Sequence, residues 1–259
     1  KATYDLSPSS DISLAALYFD QDAGQGREYF HNDLQLDQYW MNYSWKSSGY
    51  GIKALAYLNR ADKTAYQDTT NDNYQSLYRE ENFKGTNTWG LDLQATTLNW
   101  ETATFTLGAA YKQATLNYDE DYPGSSRDAG AEGNQQTISP FANMDFRFLQ
   151  DRVIVNLGAR YDWIETSDGA NWDTVASAGK PAYDTEYDSN SEGSFSPKMG
   201  IAWHPDEKST LRISGGKGFR APSLFELYKV HVRGGGTYYR EANPDLDPEE
   251  IWSYELGAE

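Results

Sequence analysis

Hydrophobic and polar residues alternate along much of this chain with a period of two. Residues 153–163 show the pattern most clearly, because apolar side chains fill the odd positions while Arg160 and Asp162 stand between them. The same alternation runs through 103–118 and 137–148. Successive side chains of a strand point to opposite faces of a sheet, so the pattern predicts β-strands with one apolar and one polar face.

Ten strands are predicted, and the connections between them alternate between short and long. The predicted strands are residues 11–20, 34–45, 50–60, 88–99, 103–118, 137–148, 152–164, 194–204, 209–219 and 251–259, with 2–6 as a candidate for the end of another. The short connections are 46–49, 99–102, 149–151 and 204–208, and the long ones are 20–33, 61–87, 119–136, 165–193 and 220–250. Short turns on one side and long loops on the other are typical of an outer-membrane β-barrel.

Composition supports a barrel and opposes other classes. Only 38% of the residues are hydrophobic, and the mean hydropathy is −0.79, so a large conventional core is not expected. Aromatic residues make up 15% of the chain, which is typical of a folded protein. No apolar run approaches the roughly 18–20 residues of a membrane-spanning helix, whereas barrel strands keep the average hydropathy low. Without cysteine the chain has no disulfide and no thiol catalysis.

The positions of charged and aromatic residues distinguish the two ends of the predicted barrel and its membrane interface. The five long connections hold 27 of the 39 acidic and 10 of the 22 basic side chains, so the net charge of −17 is concentrated at one end of the predicted barrel. That charge repels phosphate and opposes nucleic-acid binding. Aromatic residues near predicted strand ends suggest a girdle at the membrane interface. They are Tyr39, Trp40, Trp45, Tyr50, Trp100 and Trp203.

Two motifs near the end of the chain carry a family resemblance. Residues 216–228 read GKGFRAPSLFELY, residues 243–249 read NPDLDPE, and SYELG follows at 253–257. This combination resembles the TonB-dependent outer-membrane transporters. The motif residues are Phe219, Arg220, Ala221, Pro222, Asn243, Pro244, Asp245 and Leu246.

The resemblance implies an antiparallel transmembrane β-barrel in the outer membrane of a Gram-negative bacterium. Such barrels import scarce metal chelates and other nutrients, with energy delivered through the TonB protein. In the family about 22 strands surround a plug domain. We therefore expect residues 1–259 to be a fragment of the barrel domain, with the plug domain and the C-terminal strands absent, and contact with TonB to pass through that plug. The chain begins at Lys1 without an initiator methionine, which also indicates a processed or excised sequence.

The loop between the two motifs is the predicted ligand site. Its cations suit an anionic ferric siderophore, and its tyrosines could stack on aromatic groups of the ligand. Alternatively, as in haem-uptake members of the family, His231 ligates haem iron. A lone loop histidine is by default a solvated side chain, so both alternatives stay open. The candidate residues are Arg220, His231, Arg233, Tyr238, Tyr239 and Arg240.

Other chemistry is weakly supported. Acidic clusters offer oxygen ligands that suit calcium, which cobalamin-uptake members of the family use to order loops, but they lack the EF-hand order. The candidate residues are Asp119, Asp121, Asp184 and Asp188. No cofactor is required, and no catalytic motif of a hydrolase or metalloprotease is present. The Gly-Gly-Lys-Gly run at 215–218 lacks the spacing of a phosphate-binding loop. The remaining alternatives are a passive porin or adhesin barrel and a soluble β-sandwich.

Overall fold

A computed structural model describes residues 1–98, 101–176, 180–233 and 238–259. Almost all of its regular structure is β-strand. The strands are β1 (Ala2–Ser7), β2 (Ser10–Arg27), β3 (Phe30–Lys46), β4 (Tyr50–Asp68), β5 (Leu77–Thr97), β6 (Ala103–Asp121), β7 (Asp128–Phe148), β8 (Val153–Asp173), β9 (Tyr183–Tyr187), β10 (Asn190–Trp203), β11 (Leu211–Arg220), β12 (His231–Arg233), β13 (Tyr238–Arg240) and β14 (Glu249–Ala258). A 3₁₀ turn, η1, covers Thr70–Asp72, and one short helix, α1, covers Leu224–Tyr228.

The main sheet is an antiparallel meander in which neighbours in sequence are neighbours in space. Its order is β1-β2-β3-β4-β5-β6-β7-β8-β10-β11-β14, and β9 pairs with the far end of β8. β12 and β13 form a separate hairpin. Among the described residues β1 and β14 are not paired with each other, so the sheet is an open, partial barrel wall.

One face of this sheet is apolar and uncovered. The register places apolar residues opposite one another across consecutive strands, and no second layer covers them: Ile138 is 55% exposed and Trp163 is 58% exposed. We call this the outer face. The absence of a covering layer over the described residues excludes the soluble sandwich and confirms the predicted apolar face. One row across the wall consists of Leu14, Met41, Ala56, Leu91, Tyr111, Ile138 and Trp163.

The opposite, inner face is polar. One of its rows is Thr106, Asn143, Gly158, Lys198, Gly216 and Ser253. This alternation corrects one residue of the predicted girdle. Trp40 pairs with Tyr57 and lies on the inner face, because its position is even in β3 while the outer face takes odd ones such as Tyr39. Trp45 and Tyr50 do flank a short turn, Trp203 ends β10, and Trp100 lies outside the described residues.

The predicted long loops are mostly strand, which is the main correction to the predicted fold. β5, β7 and β8 each contain 21 residues, whereas about 9–11 are enough to cross a bilayer. The strands therefore continue well beyond the membrane on the acidic side, and the predicted loop 20–33 reduces to a turn at Glu28 and Tyr29. In water both faces of a strand can be polar, so the alternation disappears there although the backbone ladder continues.

The predicted short turns are confirmed on one side of the sheet, and the predicted long connection from β11 to β14 is confirmed on the other. On one side the strands join at residues 8–9, 47–49, 149–152 and 204–210, and on the other the connection from β11 to β14 holds α1, β12 and β13. Within the described ranges no helix has the length and apolar character needed to cross a membrane.

Candidate ligand-binding site on the inner face

Residues 221–248, which we call the inward segment, leave β11 and fold back onto the inner face of the wall. At the point of exit, Arg220 is held between two carboxylates. Its Nε and Nη2 donate to Glu249 at 3.0 and 2.9 Å, and its Nη1 and Nη2 donate to Glu226 at 2.9 and 3.2 Å. Arg220 and Glu249 are also register partners on β11 and β14, so the Arg220 side chain joins the two ends of the inward segment.

The helix α1 begins at a complete capping box. Ser223 accepts a hydrogen bond from the Glu226 amide, and the Glu226 carboxylate accepts one from the Ser223 amide at 2.9 Å. The Arg220 guanidinium beside it lowers the pKa of Glu226 to about 2, and the bond from the Ser223 amide acts in the same direction. The same carboxylates raise the pKa of Arg220. Arg220 and Glu226 therefore stay charged and paired at neutral pH.

Tyr228 anchors α1 to the wall. It is 1% exposed and packs with Leu224 and Leu227 against Leu116, Tyr118 and Ala131 of β6 and β7. Two strand glycines make room for its ring, since a Cβ at Gly133 or Gly169 would lie 2.6 or 2.3 Å from it. The carbonyl of Tyr228 also accepts a hydrogen bond from Asn171 at 2.8 Å.

The first motif is bound both by the second motif and by the wall, through hydrogen bonds to its backbone carbonyls. The Asn243 amide donates to the Leu227 carbonyl at 2.8 Å, and Gln135 of β7 donates to the Pro222 carbonyl at 3.1 Å. Pro244 and Leu246 then line a small gap against the wall. The two motifs thus form one structural unit that fixes the inward segment.

A buried charge network holds the end of α1. Lys229 is 8% exposed, and its ammonium contacts the carboxylate of Glu120 and lies 4.3 Å from the centre of the Tyr118 ring. Arg79 donates to the other oxygen of Glu120 at 3.3 Å, and the Tyr118 hydroxyl donates to this carboxylate at 2.7 Å. Two cations and the hydroxyls of Tyr118 and Tyr122 thus converge on one buried carboxylate, which ties the inward segment to β5 and β6.

Beside the inward segment lies a concave chamber of about 790 Å³. Strands β5 to β8 supply a wall of mixed polar and apolar residues, and the start of α1 supplies Phe225. Lys112 and Arg160 place two cations in this wall, and Arg160 donates to Asp162 at 2.7 Å. A chamber with cations and aromatic rings can take an anionic ligand that carries flat groups.

The structure brings most of the residues predicted to bind ligand together in the β12–β13 hairpin, where His231 pairs with Arg240 and Arg233 with Tyr238, but it engages several of their side chains elsewhere. Arg220 is engaged with two carboxylates, and Arg240 donates to the Glu226 carbonyl at 3.2 Å. His231 is half-buried in β12, with its ring edge-on to Phe225 at 5.3 Å. Tyr238 is 52% exposed, and Lys180 lies 4.7 Å from the Tyr239 ring. The side chain of Arg233 and residues 234–237 lie outside the described part. Ligand binding by these residues stays a prediction.

The residues predicted to bind calcium lie in two separate places. Asn82 donates to Asp119 at 3.1 Å and to Asp121 at 2.9 Å, while Asp184 lies in β9 and Asp188 follows it. Within the described ranges neither pair belongs to a cluster of three potential ligands. Calcium binding there also stays a prediction.

Sequence reasoning missed α1 and the chamber. The helix has five residues, too few for a helical period, although Ser223 and Glu226 at capping-box spacing were a usable signal. Lys112 and Arg160 lie in the predicted strands 103–118 and 152–164, but their meeting in one chamber depends on the register of β6, β7 and β8.

Comparisons with known proteins agree with this architecture. The family model described as TonB dependent receptor-like, beta-barrel, matches residues 2–259. A curated relative, the iron-regulated outer membrane virulence protein of Vibrio cholerae serotype O1, is 38% identical over 73 residues, which are 27% of this chain and 11% of the relative.

Solved structures share the fold at low sequence identity. The hemophore receptor HasR of Serratia marcescens, in complex with its hemophore HasA and heme, superposes with a TM-score of 0.69 at 16% identity, covering 99% of this chain and 40% of HasR. The copper transporter OprC superposes with a TM-score of 0.75 at 15% identity, covering 97% of this chain and 40% of OprC. The ferric yersiniabactin uptake receptor FyuA of Yersinia pestis superposes with a TM-score of 0.64 at 12% identity, covering 96% of this chain and 40% of FyuA. The chain thus spans about two fifths of these structures.

Proposed function

Because this chain belongs to the TonB-dependent receptor β-barrel family, we propose that it forms part of the wall of a receptor that imports a ferric siderophore or another iron chelate. The chain is an outer-membrane protein of a Gram-negative bacterium. The observation that carries the proposal is the inward segment, clamped by Arg220 beside a chamber that contains Lys112 and Arg160.

The chamber suits the proposed substrate class. Ferric siderophores are commonly anionic, and a guanidinium and an ammonium on a partly dehydrated wall would attract them. Phe225 offers an aromatic ring at the same place. The names of the relatives point the same way, since FyuA takes up ferric yersiniabactin and the Vibrio relative is iron-regulated. Import driven through TonB, by way of a plug, is part of this proposal.

Energy-dependent uptake tests the proposal. Cells that express the complete receptor under iron limitation are given radiolabelled ferric siderophores, with and without an uncoupler. We expect uptake that the uncoupler abolishes. Replacement of Lys112 and Arg160 by Ala should raise the half-saturating concentration by about tenfold, whereas Lys208→Ala, in a turn at the opposite end, should not. Uptake that persists without energy would instead indicate a passive porin.

Haem is the second candidate substrate, because His231 is held in β12 with its ring against Phe225. Growth on haem as the sole iron source separates it from the first. If His231 ligates haem iron, His231→Ala should stop this growth while His204→Ala, in a short turn, should not. Unchanged growth of the His231 variant would remove haem ligation and leave siderophore transport intact.

A further inference from the structure

Three potential metal ligands lie together near the tip of the β2–β3 hairpin. Asp22 and Asp33 are register partners on adjacent strands, and His31 lies two residues before Asp33. Residues two apart on a strand share a face, so all three side chains project from the same side of the hairpin. Their ligand atoms lie within 4.8 Å of one another. The register of the hairpin therefore brings one imidazole and two carboxylates to a single point.

Tyr66 on β4 supports this group from the side. Its ring stacks on His31 with centroids 4.1 Å apart and planes 18° apart, and its hydroxyl lies near the carboxylate of Asp33. Metal ligands in proteins are commonly oriented in this way by neighbours that do not bind the ion themselves. One aromatic residue thus fixes the imidazole plane beside a carboxylate.

The charge at this point is uncompensated among the described residues. Carboxylates directly opposite each other on paired strands repel, and neither Asp22 nor Asp33 takes part in an ion pair there. The nearby cation, Arg27, is directed elsewhere: its Nε lies 3.0 Å from Asp68, and its guanidinium stacks over the Tyr74 ring at 4.2 Å. A bound cation would offset the repulsion.

We propose that Asp22, His31 and Asp33 bind a divalent transition-metal ion of the zinc class. Imidazole and carboxylate suit zinc and copper, whereas calcium prefers an all-oxygen set. Small side-chain rotations bring ligand atoms at these separations onto one ion. Three protein ligands leave a coordination position open to water or to an external donor. The site lies on the outer face beyond the apolar band, away from the chamber, so it does not depend on the proposed transport.

Titration of the metal-free receptor with ZnCl₂ tests this site. The complete protein is purified in detergent, stripped with a chelator and studied by calorimetry. We expect one saturable site that depends on His31. His31→Gln should weaken zinc binding by about a hundredfold and Tyr66→Phe by about tenfold, as for ligands and for neighbours that orient them. Asp22→Asn should also weaken it, and because Asp22 is exposed this change should leave folding intact.

Matched controls make the result decisive. His204→Gln removes a histidine from a turn at the other end of the wall and should leave zinc affinity unchanged. In the wild type, Cu²⁺ should give an electron paramagnetic resonance spectrum with nitrogen coupling, which His31→Gln should abolish. Zinc affinity that is equal in the wild type, His31→Gln and Asp22→Asn, or calcium binding as tight as zinc binding, would overturn the proposal.

Discussion

Gly169 lies under the ring of Tyr228, and its missing side chain is what lets α1 approach the wall. An added Cβ would lie 2.3 Å from that ring. Gly169→Ala should therefore displace Tyr228 and cost about 1–3 kcal/mol of packing free energy. Limited proteolysis should then cleave within 221–248 faster than in the wild type. Gly257→Ala is the matched control, because nothing lies within 4 Å of its added Cβ. Equal cleavage of both variants would contradict the proposed contact.

Glu226 should make attachment of the inward segment sensitive to acid. Its pKa falls from an ordinary 4.5 to about 2, mainly through the hydrogen bond from Arg220. A lowered carboxyl pKa in the folded state adds stability that is complete above pH 4.5 and is lost as the pH falls toward 2. Protease resistance of 221–248 should decline across this window. In Glu226→Gln the protease resistance should already be lower than in the wild type at pH 7 and should change less as the pH falls. An identical pH profile in the two proteins would argue that Glu226 does not make the attachment sensitive to acid.

At the scale of elements, the contact between β6 and the end of α1 depends on Glu120. Glu120→Gln leaves Lys229 buried without the carboxylate it contacts, while Arg79 keeps its ion pair with Glu81, and removal of one partner from a buried ion pair costs about 3 kcal/mol. We expect a lower thermal transition and faster cleavage of the inward segment. Glu132→Gln, an exposed position on β7, should change neither. Equal thermal stability of the two variants would show that the network contributes little.

At the scale of the whole molecule, adjacent residues of β11 face different media. Ile213 is 55% exposed on the outer face, and Ser214 is its neighbour on the inner face. A lysine that faces lipid costs about 2–4 kcal/mol at the bilayer centre and less toward the interface, so a measurable but smaller cost is expected at Ile213, close to the turn at 204–210. Ile213→Lys should therefore reduce folding of the complete receptor into lipid vesicles, measured by gel mobility without heating. Ser214→Lys should fold nearly as well as the wild type, and equal loss in both would contradict the assignment of faces.

The sequence predicted the strands of the wall where lipid on one side imposes an alternation of apolar and polar residues. It failed to predict the strands beyond the membrane, where no such alternation is imposed. Residues 153–163 alternate because lipid lies on one side, and they form the predicted strand. Beyond the membrane, residues such as Asp22 and Asp33 carry no such pattern, yet they pair in the β2–β3 ladder.

The candidate site was less predictable than the wall. The motif at Arg220 located the exit of β11, but which carboxylates hold Arg220 depends on long-range pairing with β14. Tyr228 fits the wall only because Gly133 and Gly169 lie beneath it, and these glycines come from two other strands. Such contacts follow from register, which no single segment specifies.

The pairing of Arg220 with Glu249 means that the chain departs from the wall and rejoins it at neighbouring points. Residues 230–242, which lie between the two fixed motifs, can therefore lengthen, shorten or change their chemistry without altering the pairing of the wall. A change in these thirteen positions thus gives related receptors a new specificity while the wall and both motifs stay the same.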